Sequence, residues 1–276
     1  MTLPDLVALG TMHGKAAAIA PPLAALGIAV TVPDGLDTDA FGTFTGERPR
    51  VGTMLDAARA KARAAMAATG LPVGLASEGA YGPHPVIPFL AQGRELLLWL
   101  DSRTGHEIVE VLTDPAPCYD QLAVPSPAEA AGFLGRIGFP DTAVVVSLAS
   151  NRAHPVAKGI RDRAELQRIL AAATADGPAI LQTDMRAHLN PRRMMMIARL
   201  AEQLSARLAR RCPDCAAPGW GFLRKGPALP CAWCSGPTLT PGGDIHGCTA
   251  CGAETLLPLP DGKTEADPGS CPLCNP

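Results

Sequence analysis

The sequence predicts an α/β domain, with a mixed sheet flanked by helices, followed by a small zinc-ribbon-type tail. Three observations carry this. Strand-like and helix-like runs alternate up to residue 211, the element order of an α/β sheet. Apolar runs at 95–100 and 108–112 stand back to back around Ser102-Arg103-Thr104-Gly105, which reads as an antiparallel hairpin and makes the sheet mixed. From Cys212 on, periodicity gives way to proline, glycine and four C-x-x-C pairs. The domains are therefore 1–211 and 212–276.

The elements follow in order. Strands are expected at 5–10, 28–32, 73–76, 95–100, 108–112, 143–148 and 179–182, each a short apolar run bounded by turn residues. Helices are expected at 15–25, 54–69, 126–137, 163–175 and 191–210. Thr53 with Asp56 three residues on forms a capping box that starts the second helix. Asn190 before Pro191 gives the last helix an N-cap and a proline in its first turn. That helix carries Ile197, Leu200, Ala201, Leu204 and Leu208 on one stripe.

Composition excludes several classes. Hydrophobic residues make up 47 %, too many for a disordered chain. The formal net charge is -2, so no global field draws the protein to nucleic acid or anionic membrane. The apolar runs are far too short to span a bilayer, and the first residues lack the charged start and long apolar run of a signal peptide. A soluble cytoplasmic protein is expected, and in that compartment paired cysteines indicate metal before disulfide.

Polar residues gather at strand ends. Thr11, His13 and Lys15 follow the first strand in "GTMHGK"; Ser77, Glu78, Tyr81 and His84 follow the third. Ser150 to Lys158 follow the strand at 143–148, and Thr183, Asp184, Arg186 and His188 follow that at 179–182. Ligands of α/β sheets sit at the carboxyl ends of strands, so these four loops are expected to share one crevice. Lys15 at the start of a helix suits a phosphate, through its charge and the free N–H groups of the first turn. Glu78 suits a divalent metal or activation of water, with Glu47 or Asp184 as a partner. Arg186 is read as functional, and Arg192 and Arg193 as surface residues. Four loop histidines, His13, His84, His154 and His188, leave a histidine-bound metal as a minor alternative, although no recognised ligand spacing occurs.

"FGTFTGERPRVGTMLDAARAKA" followed by "VGLASEGAYG" resembles the inosine/xanthosine triphosphate pyrophosphatase superfamily, over roughly residues 5 to 205. Its members carry T-x-N-x-x-K at a strand end, a helix near N-A-x-x-K-A, and a strand ending in an acidic residue. Thr11 and Lys15 match the first motif, Ala58, Lys61 and Ala62 the helix, and Ser77-Glu78-Gly79 the acidic end. Arg186 corresponds to a base-recognition arginine. His13 replaces the asparagine, the lysine lies one residue closer, and Ala57 replaces the helix asparagine. The resemblance implies Mg²⁺-dependent cleavage of a nucleoside triphosphate to monophosphate and pyrophosphate. Glu78 and Glu47 would hold the metal, Lys15 and Lys61 the phosphates, and Thr11, His13, Ser77, Arg186 and His188 the rest of the substrate. The whole chain, through "TMHGK", "TDMRAH" and the cysteine tail, also resembles a bacterial family known as a domain of unknown function.

The tail holds Cys212/Cys215, Cys231/Cys234, Cys248/Cys251 and Cys271/Cys274. Eight thiolates make two tetrahedral Cys₄ sites, so two structural zinc ions are expected to supply its folding energy. The spacing leaves two pairings open: neighbouring pairs share an ion, or the second and third share one while the first and fourth close around them. The nested pairing is preferred, with a hairpin turning at Pro241-Gly242-Gly243. Six acids face three bases from Cys212 on, which argues against nucleic acid and for a lid or a protein-docking module using Trp220, Phe222 and Trp233.

The leading expectation is thus a Mg²⁺-dependent hydrolase of a phosphorylated small molecule with a two-zinc tail. The alternative from another class is a non-catalytic zinc-ribbon adaptor whose first domain binds a ligand.

Overall fold

The computed structural model describes residues 2–42 and 50–275. Contacts divide the chain into two compact units, one from Pro4 to Ser205 and the other holding the chain from Ala206 on.

The first unit contains two sheets. One has the order β2-β1-β3-β4-β5, from β1 (Leu6–Gly10), β2 (Ala29–Thr31), β3 (Val73–Pro83), β4 (Ala91–Asp101) and β5 (His106–Asp114). β1 pairs in parallel with β2 and β3, and β3, β4 and β5 form an antiparallel meander, so the sheet is mixed as expected. The other sheet is antiparallel throughout, in the order β6-β9-β7-β8, from β6 (Gln121–Val124), β7 (Val144–Leu148), β8 (Ala157–Ile160) and β9 (Ala179–Thr183). The runs at 143–148 and 179–182 therefore leave the first sheet and pair with each other.

The first sheet is buried on both faces, which is why β4 reads as a continuous apolar run instead of an alternating one. Helix α2 (Met54–Thr69) covers one face through Ala58, Ala62, Ala65 and Met66, which pack on Ala8, Ala76, Leu96, Leu98 and Leu100. Alanines let the helix lie close. At Gly10 an added Cβ would come within 2.5 Å of the Lys61 carbonyl oxygen, so the end of β1 admits only glycine. Helix α1 (Ala16–Ala24) is tied to α5 (Pro191–Ala209), Ser205 Oγ donating 2.7 Å to the Pro22 carbonyl. The second sheet packs on α3 (Ala131–Ile137) and α4 (Arg163–Ala173) around Phe133, Leu166, Leu170, Val144, Val146 and Leu181.

The helix starts follow the sequence. Thr53 Oγ1 accepts from Asp56 N at 3.2 Å while Asp56 accepts from Thr53 N at 3.0 Å, a closed capping box. Asn190 Oδ1 accepts from Arg193 N at 3.1 Å.

The second unit has an antiparallel sheet of β10 (Gly221–Lys225), β13 (Gly243–Gly247) and β14 (Glu254–Pro258), and a two-stranded ribbon of β11 (Ala228–Pro230) and β12 (Pro237–Pro241). Its apolar cluster is small: Cys212, Ala217 and Cys248, with Trp220 and Ala253 against them. No helix among the described residues is long and apolar enough to cross a membrane.

Candidate functional site

A cleft of about 270 Å³ opens at the end of β1, beside the middle of β3, its parallel neighbour. The third strand, expected to end at 76, runs on to Pro83, so Ser77, Glu78 and Tyr81 lie within it and not in a loop after it. Thr11, His13 and Lys15 line it from the β1–α1 connection, Lys61 from α2, Ser77, Glu78 and Tyr81 from β3, and Arg50 and Thr38 from the chain between. Seven of these residues were expected from the strand ends and motifs; Arg50 and Thr38 were not.

Parallel pairing sets the geometry. Gly10 lies opposite Ala76, so the residues just after β1 meet Ser77 and Glu78 on β3. Lys15, buried to 6 % exposure, donates from Nζ to the Ser77 carbonyl at 2.9 Å and to Ser77 Oγ at 3.3 Å. Glu78 is 4 % exposed and paired twice: with Lys61 from α2, and with Arg50 at 3.1 Å. The same Arg50 nitrogen donates to the Gly79 carbonyl at 2.7 Å. Thr11 Oγ1 is buried at the cleft with no hydrogen-bond partner among the described residues. A buried hydroxyl without a partner costs about 1–3 kcal/mol, a cost that any group hydrogen-bonded to it from the cleft would offset.

Behind the cleft lies a second buried pair. Arg193 and Glu95 are each 1 % exposed and joined at 2.6 Å. Tyr81 donates to the same Glu95 oxygen at 2.7 Å, and the Arg193 guanidinium stands 5.3 Å from the Tyr81 ring centre. Arg193 also donates to the Met185 carbonyl, which ties the β9–α5 connection to β3 and β4. The expectation that Arg193 is a surface residue is corrected: Glu95, 98 residues away, supplies the counter-charge that lets it enter the core. Arg192 is likewise engaged, in a two-pronged pair with Asp114 at 2.6 and 2.9 Å.

The electrostatics favour an anion. Among the described residues, Lys15, Lys61, Arg50 and Arg193 stand around two carboxylates, Glu78 and Glu95. Burial pulls the Lys15 amine down from 10.5 to about 7, and the Arg193 charge pushes the same way against the pull of Glu95 and Glu78. Burial, then the Glu95 charge, raises the Tyr81 hydroxyl far above its usual range, so it stays a donor. The amino end of α1 adds its dipole beside Lys15.

Other expected residues fall elsewhere. His188 stacks on His13, with ring centres 5.3 Å apart and planes 19° from parallel, so the loop after β9 does reach the rim of the cleft. Burial, then the Arg186 charge, holds His188 below the usual histidine range. Arg186 does not line the cleft; it forks onto buried Asp184 at 2.6 and 3.1 Å, which commits both of these candidates to each other. His84 accepts from Val86 N and Ile87 N, each at 3.1 Å, inside the β3–β4 hairpin. His154 is exposed and 3.0 Å from Asn151, away from the cleft, because the chain after β7 turns back into β8. Four loops therefore do not converge, and His13, His84 and His188 do not gather around one point. Among the described residues, the groups of three or more metal-ligating side chains are the two cysteine tetrads. Glu47 lies outside the described residues.

The tetrads are Cys212, Cys215, Cys248 and Cys251, and Cys231, Cys234, Cys271 and Cys274. Both pairings expected from the spacing are corrected: the first pair joins the third and the second joins the fourth, an interleaved arrangement. Strand pairing decides it. Gly221 opposite Gly247 brings β10, after the first knuckle, beside β13, before the third. The second knuckle instead sits inside the β11–β12 ribbon, and Cys231 bridges to Ala266 near the fourth. Residues 241–243 accordingly pass the chain from one ribbon to the other sheet and do not close a hairpin.

Metal geometry is already built. Sulfurs across the knuckles stand 3.7 Å apart for Cys212–Cys251 and Cys215–Cys248, 3.9 Å for Cys231–Cys274 and 3.8 Å for Cys234–Cys271. A disulfide would set sulfurs about 2.0 Å apart. A tetrahedral ion with Zn–S near 2.3 Å sets them about 3.8 Å apart. All four knuckles repeat one turn, the residue after the second cysteine donating its N–H to the first cysteine's carbonyl at 2.9–3.0 Å. Backbone N–H groups of Cys234 and Trp233 pull the Cys231 thiol down to about 7, while the Cys234 sulfur beside it pushes Cys274 of the same tetrad up to about 12, so without an ion the sulfurs share their protons unevenly. The two tetrads can hold metal ions such as zinc.

Residues 61–276 match the model of the family described as Domain of unknown function (DUF6671), and the chain belongs to that family. The match contains Lys61, Ser77, Glu78, Glu95, Arg193 and all eight tetrad cysteines; Thr11, His13, Lys15 and Arg50 precede it. No curated protein and no solved structure matches the chain.

Proposed function

We propose that the cleft binds the phosphates of a small phosphorylated molecule and that the protein hydrolyses it, a nucleoside triphosphate being the substrate that the motif resemblance implies. The observation that carries this reading is the placement of Glu78: a buried carboxylate in the middle of β3, beside the turn after β1, held between Lys61 and Arg50, next to buried Lys15 and the unpartnered Thr11 hydroxyl.

The chemistry follows from competition for cations. An arriving phosphate draws Lys61 and Arg50 from Glu78, because a phosphate offers more charge than one carboxylate. Lys15 takes up charge beside it, and Thr11 and the first turn of α1 donate to its oxygens. Glu78 is then free to act. As the one carboxylate lining the cleft among the described residues, it suits either activation of water or a share in a magnesium ion. Magnesium typically takes one or two carboxylates and completes its shell with substrate oxygens and water. His13, on the rim against His188, donates to an outer phosphate.

The test is phosphate and pyrophosphate release from a panel of nucleoside triphosphates and other phosphorylated small molecules, with and without Mg²⁺, for the wild type and Glu78→Gln. The reading expects turnover that falls by at least about a hundredfold in the variant, the size expected for loss of an acid–base group. A folded, metal-loaded wild type with no turnover on any compound favours the adaptor reading.

A further inference from the structure

The two tetrads share one backbone but present different surfaces. Between its cysteines the first carries Pro213-Asp214 and Thr249-Ala250; the second carries Ala232-Trp233 and Pro272-Leu273. Trp233 is 78 % exposed and Leu273 68 %, and Leu239, just beyond on β12, is also exposed. Leu273 lies over Gly236, where an added Cβ would stand 2.7 Å from Leu273 Cδ1 and 3.1 Å from Cys234 Sγ. Both apolar side chains thus project from knuckles that close the same sulfur cluster. Neither stabilises the unit by its own burial.

A groove of about 750 Å³ opens next to the second knuckle, lined by Ala232 and not by Trp233 or Leu273 themselves. Ala232, the neighbour of Trp233, forms its wall and donates to the Ala266 carbonyl at 3.0 Å, while Ala266 donates to Pro230 at 2.8 Å. These bonds hold Glu265 and Asp267, on either side of Ala266, along the knuckle, and both side chains are exposed and line the groove. The groove's one lysine, Lys263, is committed to Asp261 at 3.0 Å. The surface therefore combines apolar anchors with an uncompensated negative rim. Nucleic acid is repelled by that rim. An aromatic and a leucine next to carboxylates complement a segment that brings apolar anchors and cations together.

We propose that Trp233, Leu273 and the acidic groove form a docking face for a basic amphipathic peptide segment of a protein partner. The cleft plays no part in this inference, which stands or falls independently of the proposed hydrolase activity.

The test uses the full-length, metal-loaded chain and dye-labelled 18-residue peptides of alternating leucine and lysine patches, read by fluorescence anisotropy. A matched peptide with glutamate for lysine serves as control. The expected result is saturable binding of the lysine peptide that weakens with salt, at least about tenfold weaker binding to Trp233→Ala and to Glu265→Lys, and no binding of the glutamate peptide. Unchanged metal content shows that each variant is folded, since both side chains are exposed; Asp267 is kept because its carboxylate accepts from Gly269 N at 2.7 Å and caps the turn before Cys271. Equal binding by wild type and Trp233→Ala, equal binding of both peptides, or no binding overturns the proposal. So does self-association of the chain in sedimentation that Trp233→Ala abolishes, because the occupant would then be a second copy.

Discussion

The Nζ of Lys15 stands 2.9 Å from the Ser77 carbonyl oxygen, inside the protein and one residue before Glu78. The start of α1 and the middle of β3, 62 residues apart in sequence, meet at this bond, and an ionisable amine is buried to make it. The consequences for stability and binding are open to measurement.

Burial lowers the Lys15 amine from 10.5 to about 7. Between these values the unfolded chain holds a proton that the folded chain lacks, so this residue makes stability rise with pH through that window. Below about pH 7 both states are protonated and the destabilisation is greatest. Lys15→Met is therefore expected to stabilise the protein at pH 6, by on the order of 1 kcal/mol or more, with the gain shrinking towards pH 10. Urea unfolding of both proteins at pH 6, 8 and 10 checks this; a gain that does not change with pH would refute it.

Arg193 and Glu95 form a buried pair, and removing one partner leaves the other charged and alone. Arg193→Ala is expected to cost about 3–5 kcal/mol. The double variant Arg193→Met/Glu95→Leu should recover much of that loss. Denaturant midpoints of the single and double variants measure the coupling, and additive losses would count against the pairing.

The interleaved tetrads predict a particular pattern of metal loss. Wild type is expected to hold two zinc ions per chain. Cys212→Ser/Cys248→Ser removes two ligands from one tetrad, so one ion should remain. Cys212→Ser/Cys231→Ser damages both, so both should be lost or weakened. Neighbouring or nested pairing would make Cys212→Ser/Cys248→Ser lose both. Metal analysis of the purified variants distinguishes these outcomes.

Chelation should unfold the second unit while leaving the first. The apolar cluster of the second unit is too small to hold it without metal, whereas the first has extensive cores on its two sheets. Hydrogen exchange after chelator treatment should show protection lost from 212 onward and kept in β1, β3 and β4.

Much of this was legible in the sequence because it depends on local chemistry. The Thr53–Asp56 capping box, the Asn190 N-cap and the buried run of β4 each need only a few neighbouring residues. Lys15 was legible because a polar group just past the end of an apolar strand has few structural uses, and Lys61 through the helix motif of the resemblance; Glu78 was singled out as a strand-end residue, but β3 runs on to Pro83 and places it in mid-strand. What escaped depends on partners far along the chain. Arg193 follows a helix cap and reads as solvated until Glu95 is placed beside it. β8, with Gly159 in a run of four residues, gives almost no periodic signal and appears only through its pairing with β7. The cysteine spacing is compatible with several pairings, and strand register selects one.

The central claim is that Lys15, Lys61, Arg50 and Thr11 make the cleft a phosphate site. Titration calorimetry of the full-length, metal-loaded protein with inorganic pyrophosphate tests it without requiring turnover. The account predicts one saturable site per chain, weakened at least about tenfold by Lys61→Ala and unaffected by Trp233→Ala. Absence of binding, or binding that Lys61→Ala leaves unchanged, would contradict it.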